Sequence, residues 1–337
     1  MTKFPIIKLH GSPSEVGLEH GRILKSKIEE ALTYYLKLFD KKDSELQARG
    51  SHFKNQILKF NPKYCTEINA IARGAGLDEY LIYALNARSE LLNNYANECS
   101  VIYDRKNGLL SENWDWASIF ENLAVILKMN LQNSSIMTIT EPGIIGKIGF
   151  NNYGIGVALN YLGVDSNVFG VPIHVALRSA LESSSVESFM RNIFPKINDT
   201  AGHLLIAEKN KAFHSLEFAG SRVFEVTNEN DYYVHTNHYL GDPTLNTPID
   251  EFEGSLLRFD QVHQLINSSP SMSLEAAKNI LKSQLHNEFP VCRQYTPHEQ
   301  IEDIGTVCSV IFDLVNLKMD ITRGNPFDHP YEVIPLL

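Results

Sequence analysis

The chain has 337 residues, 43% of them hydrophobic and 21% charged, which is enough to bury a full core without metal or disulfide staples and too apolar for disorder. Lys plus Arg number 30 and Asp plus Glu 40, for a formal net charge of −10. With no basic run, such a chain is repelled by polyanions, so nucleic acid and anionic membrane are excluded as partners.

The first 95 or so residues read as helical. Ser12-Pro13-Ser14-Glu15 supplies an N-cap, a proline at the first helical position and a carboxylate in the first turn. Apolar residues then recur at Val16, Ile23, Ile28, Leu32 and Leu36, at a period of three to four. Further helical stretches follow at 43–60, 63–74 and 78–92. At Cys99 the texture changes: 99–105 and 109–114 flank Lys106-Asn107-Gly108, and Asn-Gly is a strong hairpin signal. Strand-like runs continue at 123–131, 135–140, 145–150 and 155–160. A helical block at 172–194 interrupts them, and strands resume at 203–208, 212–218, 222–227 and 232–237. Two helices at 253–267 and 273–285 precede a last hairpin, 306–313 with 318–322. Helices and meandering strands come in blocks without βαβ alternation, which favours an α+β layered domain with antiparallel sheets.

Four scattered cysteines with no Cys-x-x-Cys pair suit a reducing compartment. The opening residues have no apolar stretch of a secretory signal, and no run of about 18 apolar residues is present. A cytoplasmic protein is expected. Gly143-x-x-Gly146-x-x-Gly149 lacks the ending of a phosphate-binding loop and reads as turns and bulges. His235-x-x-His238 has no third ligand at a recognisable spacing, so no metal is expected. Cys65, Cys292 and Cys308 read as packing residues.

Cys99 is different. It follows a polar loop, 93–98, and opens the first strand of the hairpin, a junction where a thiol can serve as nucleophile if something deprotonates it. Antiparallel pairing across Asn107-Gly108 brings Asp115 back near Cys99, where a carboxylate can orient an amine, bind substrate or cap a turn.

Motifs along the chain carry a resemblance. Gly11-Ser-Pro-Ser-Glu15-Val-Gly17-Leu-Glu19-His20-Gly21, Asn86-Ala-Arg88-Ser-Glu90, Cys99-Ser100 followed by Glu112-Asn113-Trp114-Asp115, Thr140 to Asn151, His235-Thr-Asn237-His238 and Phe289-Pro-Val-Cys-Arg293 together resemble the isopenicillin N acyltransferase family, the acyl-coenzyme A:6-aminopenicillanic acid acyltransferases and their relatives, which are N-terminal nucleophile hydrolases. The resemblance implies a four-layer αββα sandwich. It also implies self-cleavage between Glu98 and Cys99, giving a helical arm 1–98 and a catalytic part 99–337 that together form one compact domain. The new α-amine of Cys99, with an ordinary pKa of about 7.7–8.0, would be the base for its own thiol, so a histidine is not needed. Asp115 would hold that amine or the substrate's, Asn237 would donate to the oxyanion, and Asn160 would bind the substrate carbonyl unless it is a turn residue.

The implied activity is that of an amidohydrolase or acyltransferase working through a thioester on Cys99. The substrate would be a small-molecule acyl amide, with an acyl-coenzyme A thioester as the other candidate donor and no cofactor called for. The sequence does not fix the oligomeric state. An unprocessed relative serving as a binding scaffold is the alternative.

Two departures from the family bear on specificity. The penicillin-forming enzyme has glycine before its cysteine, where this chain has Glu98. Its Ser-Arg pair ahead of the late strand is matched here by Glu302-Asp303, leaving Arg293 as a candidate anion anchor. Glu112, Glu302 and Asp303 would make the site acidic, favouring substrates with a free amine such as aminoacyl amides; this makes Asp303 a candidate substrate-binding residue.

Overall fold

A computed structural model of the protein describes residues 3–92, 99–164, 167–209, 213–227, 230–246, 250–269, 271–286, 288–297 and 303–336. The helical arm is preceded by a strand that the sequence reading took for part of the helical region: β1 (Ile6–His10). After it come α1 (Pro13–Phe39), α2 (Asp43–Phe60), α3 (Pro62–Ala75), α4 (Glu79–Asn86) and the single turn α5 (Arg88–Leu91). The expected cap on α1 forms in full. The backbone N–H of Ser12 donates to Glu15 Oε2 at 2.8 Å, and that of Glu15 donates to Ser12 Oγ at 3.4 Å, a reciprocal capping box.

α1 and α3 cross so closely that side chains are excluded. A Cβ on Gly17 would lie 2.2 Å from the Glu67 carbonyl oxygen, one on Gly21 2.1 Å from that of Ile71, and one on Gly74 2.2 Å from that of Leu18. Gly17 and Gly21 of the first motif therefore serve helix packing.

The hairpin follows, with β2 (Ser100–Asp104) and β3 (Leu109–Ala117), then the short helix α6 (Phe120–Leu123) and a meander of β4 (Val125–Asn130), β5 (Ser135–Thr140), β6 (Ile148–Asn151) and β7 (Ile155–Asn160). Helices α7 (Ile173–Leu181) and α8 (Val186–Asn192) interrupt before β8 (Thr200–Glu208), β9 (Phe213–Gly220), β10 (Arg222–Val226) and β11 (Tyr232–His235). The remainder comprises α9 (Asp250–Ser268), α10 (Leu274–Leu281), β12 (Ile304–Asp313), β13 (Lys318–Ile321) and a further strand the sequence reading missed, β14 (Glu332–Pro335).

Among the described residues the strands form two sheets. One has eight strands in the order β1-β4-β5-β6-β7-β8-β9-β10, the other six in the order β11-β2-β3-β12-β13-β14. All pairings are antiparallel except β1 on β4, which is parallel with Ile6 opposite Ile126. The sheets face each other through contacts such as Phe150 on Phe312, with ring centroids 5.7 Å apart, and Tyr103 on Phe213 at the same distance. Alternation along β2 sends Val101 and Tyr103 into this central core and Ile102 to the opposite face. There Ile102 joins Leu109, Val234 and Ile311 beneath Val262 and Ile266 of α9 and Ile280 and Leu281 of α10. On the other side α7 covers β6, β7 and β8. The architecture is the expected α+β four-layer αββα sandwich.

Candidate active site

Pairing of Ser100 with Asn113 places Cys99 beside Trp114 and Asp115 at the edge of the two central strands. Both ends of its backbone are gripped. The Cys99 N–H donates to Asn237 Oδ1 at 2.8 Å, while its carbonyl oxygen accepts from Asn160 Nδ2 at 3.1 Å and from Arg258 Nη1 at 2.9 Å. The backbone N–H of Asp115 hydrogen-bonds the thiol. Burial above all, then the charges of Glu112 and Asp115, push this thiol well above the ordinary cysteine range. A buried thiol in such a field stays protonated until a base takes its proton.

Asn237 and Asn160 are themselves oriented. Asn237 Nδ2 donates to the Tyr161 carbonyl at 3.1 Å, its backbone N–H donates to Ser255 Oγ at 2.7 Å, and Arg258 Nη2 donates to its Oδ1 at 3.0 Å. Its amide nitrogen, expected at an oxyanion, here holds a backbone carbonyl. Asn160 Oδ1 meets His203 Nδ1 at 2.7 Å, and His203 Nε2 meets Ser215 Oγ at 2.9 Å, which in turn lies 2.6 Å from Tyr233 Oη. The His203 ring stacks on that of His235 at 3.6 Å. His235 Nε2 faces Glu217 Oε1 at 2.9 Å, and His238 Nδ1 faces Ser255 Oγ at 2.9 Å. The His235-x-x-His238 pair is thus engaged by protein partners.

A cavity of about 20 Å³ opens beside the thiol, lined by Cys99, Glu112, Asp115, Lys147, Arg88 and Tyr161 among others. All four charged members are buried. Beneath it Glu141 accepts from Arg88 Nη2 at 2.7 Å, from Lys147 Nζ at 3.0 Å and from Tyr35 Oη at 2.5 Å. Lys147 also lies over the Trp114 ring, 3.3 Å from its centroid. Burial alone would raise the Glu141 carboxyl, but Arg88 and Lys147 together pull it down to about 2. Burial likewise depresses Lys147 to about 8 and lifts Glu112 to about 8.

The quoted motifs meet at this network. His20 Nε2 accepts from the Gly143 N–H at 3.0 Å, and Asn86 Nδ2 donates to the Gly143 carbonyl at 2.9 Å. Together they hold the turn in which Gly143 takes φ +88° and from which Glu141 and Lys147 project, a backbone conformation that favours glycine.

The expected residues divide into two groups. Cys99, Asp115, Asn160 and Asn237 come together. Arg293 does not line the cavity; its Nη2 donates to Thr296 Oγ1 at 3.1 Å. Asp303 is exposed, with its carbonyl taking the Ser118 N–H at 2.8 Å, so Glu112 lines the cavity and Asp303 does not. Glu98 and Glu302 lie outside the described residues. Arg258 was missed by the sequence reading. Its signal is its position in the buried stripe Ser255, Arg258, Val262, Ile266 of α9, a charged residue at helical spacing among buried ones. All four cysteines are buried and free, and Cys292 Sγ donates to Asn325 Oδ1 at 2.7 Å.

The chain is 29% identical over 333 residues, 95% of its length and 92% of the relative's, to the acyl-coenzyme A:6-aminopenicillanic-acid-acyltransferase 40 kDa form of Emericella nidulans. Among solved structures, a mutant conjugated bile acid hydrolase from Clostridium perfringens is similar in fold, with a TM-score of 0.50 at 15% identity over 71% of this chain and 92% of that one. The family model for acyl-coenzyme A:6-aminopenicillanic acid acyl-transferase matches residues 103–328, a span that holds Asp115, Asn160, Asn237 and Arg258. The chain belongs to this acyl-transferase family.

Proposed function

We propose that the protein is an N-terminal nucleophile amidohydrolase or acyltransferase, cut by itself between Glu98 and Cys99, that moves acyl groups from amides or thioesters through a thioester on Cys99. The observation that carries this reading is the grip on Cys99: its nitrogen on Asn237, its carbonyl on Asn160 and Arg258, and its thiol beside a cavity. A free amine at that nitrogen keeps the Asn237 acceptor and stays within reach of its own sulfur. Its ordinary pKa of about 7.7–8.0 lets it take the thiol proton near neutral pH. The thiolate then attacks the acyl carbonyl, the amine or thiol leaving group takes the proton, and water or an acceptor amine releases the acyl group.

Two charged groups flank Cys99: Asp115, whose charge acts on the thiol, and Arg258, which donates to the Cys99 carbonyl and to Asn237 Oδ1. A coenzyme A thioester, as in the name of the Emericella nidulans relative, is one acyl donor that fits this chemistry; an acyl amide is the other. Denaturing intact-mass spectra of the purified protein and of Cys99→Ala test the reading. From a mass of 38.0 kDa, cleavage before Cys99 gives chains of about 11 and 27 kDa. Both species in the wild type and only the full-length mass in the variant are expected. A single full-length species in both would favour the unprocessed scaffold.

A further inference from the structure

Among the described residues, one buried group beside the thiol has no task in acyl transfer. Glu112 is fully buried; its Oε2 accepts the Leu159 N–H at 3.3 Å, and its Oε1 has no hydrogen-bond partner. An unsatisfied buried carboxyl oxygen is costly and calls for a partner or a function. Val101 pairs with Glu112, so Glu112 lies diagonally across the strand pair from Cys99, and both line the same cavity. At about 20 Å³ that cavity has the size of one water, and it offers such a water several polar partners.

The first cut poses a problem that acyl transfer does not. Before it, the Cys99 nitrogen is a peptide N–H donating to Asn237 and cannot accept the thiol proton. Resting on the reading of a self-cleaving precursor, we propose that Glu112, through one cavity water, is the proton acceptor for the Cys99 thiol in the self-cleavage step, a task it loses once the α-amine exists. The water gives a proton to Glu112 Oε1 as it takes the thiol proton, and the sulfur bonds to the Glu98 carbonyl carbon. When the bond from that carbon to the Cys99 nitrogen breaks, the proton returns through the water to the nitrogen. A second water hydrolyses the thioester, leaving the Glu98 carboxylate and the Cys99 thiol.

The groups facing Glu112 in the cavity are Cys99 on β2's leading edge, Asp115 on β3, Lys147 ahead of β6 and Arg88 on α5. Lys147 is committed to Glu141 and the face of Trp114, which leaves two carboxyls, Glu112 and Asp115. Glu112 shares a face of the strand pair with Cys99 through the Val101 pairing, and the Asp115→Asn variant separates the two.

The test follows the conversion of full-length chain over time by intact mass, from pH 5.5 to 9, for the wild type, Glu112→Gln, Glu112→Asp and Asp115→Asn, with thermal melts confirming that each folds. Loss of a general base typically costs about 10²–10⁴-fold in rate. Glu112→Gln is expected to cut at least a hundredfold more slowly, with Glu112→Asp restoring part of the rate. The wild-type rate should climb with pH and level off near 8, where Glu112 titrates, and that climb should vanish in Glu112→Gln. Cleavage of folded Glu112→Gln at the wild-type rate, or a pH profile unchanged by it, overturns the proposal. So does the same profile lost only in Asp115→Asn. A wild type that never cleaves at any pH overturns the self-cleavage reading instead.

Discussion

Arg258 brings a positive charge into the backbone grip on Cys99. Its fork spans the Cys99 carbonyl at 2.9 Å, Ser100 Oγ at 3.0 Å and Asn237 Oδ1 at 3.0 Å, a geometry a lysine ammonium cannot reproduce. Arg258→Lys keeps the charge and loses the span. Self-cleavage measured by intact mass is expected to slow about tenfold to a hundredfold, the equivalent of one charge-assisted hydrogen bond of about 1.5–3 kcal/mol; an unchanged rate would reduce Arg258 to a packing role. Glu141 gives a prediction for stability. Its carboxyl is held at about 2 against the cost of burial, below its value in the unfolded chain, so its contribution is present above about pH 4.5 and is lost as pH falls through 2. Glu141→Gln leaves Arg88 and Lys147 buried beside a neutral group. It should cost about 3–5 kcal/mol in denaturant unfolding at pH 7, with a smaller difference from the wild type at pH 2. The sequence made Cys99 and Asp115 legible because a hairpin signal and a motif coincide there. It could not reveal that Arg293 and Asp303 stand away from the cavity, because these two residues are placed by tertiary contacts, Thr306 N–H to the Arg293 carbonyl at 3.0 Å and Ser118 N–H to the Asp303 carbonyl at 2.8 Å.

The crossing of α1 and α3 depends on missing side chains. With carbonyl oxygens 2.1–2.2 Å from the built Cβ positions at Gly17, Gly21 and Gly74, any substituent must push the helices apart. Gly21→Ala is expected to lose about 1–3 kcal/mol by urea unfolding despite alanine's better helix propensity, and an equal or greater stability would show that the helices can separate freely. Among the strands, the Asn107-Gly108 hairpin and the meander from β4 to β7 were readable because each pairs with a neighbour in sequence. β1 was not. Five residues, Ile6–His10, become a strand because of a parallel partner at Val125–Asn130, more than a hundred residues away, and no local pattern encodes that distance. β14 escaped notice for a similar reason, its four residues gaining their meaning from β13.

For the molecule as a whole, the two sides of the proposed cut are interleaved. Arg88 and Tyr35 hold Glu141, Lys27 donates to the Asn122 carbonyl, and β1 completes the edge of the eight-stranded sheet. The two chains are expected to co-elute in native gel filtration after cleavage and to part only in denaturant; separation under native conditions would contradict this interlocking. The borrowed strand β1 has a further consequence. While the chain is continuous, the strand and its sheet are tethered, and refolding is a unimolecular event independent of concentration. Once the tether is cut, recovery requires two fragments to meet, and dilution alone can prevent it. A batch of this protein would then carry a record of its own maturation in the concentration dependence of its melting: flat for molecules still in one piece, sloping for those that have been through the cut and cannot return.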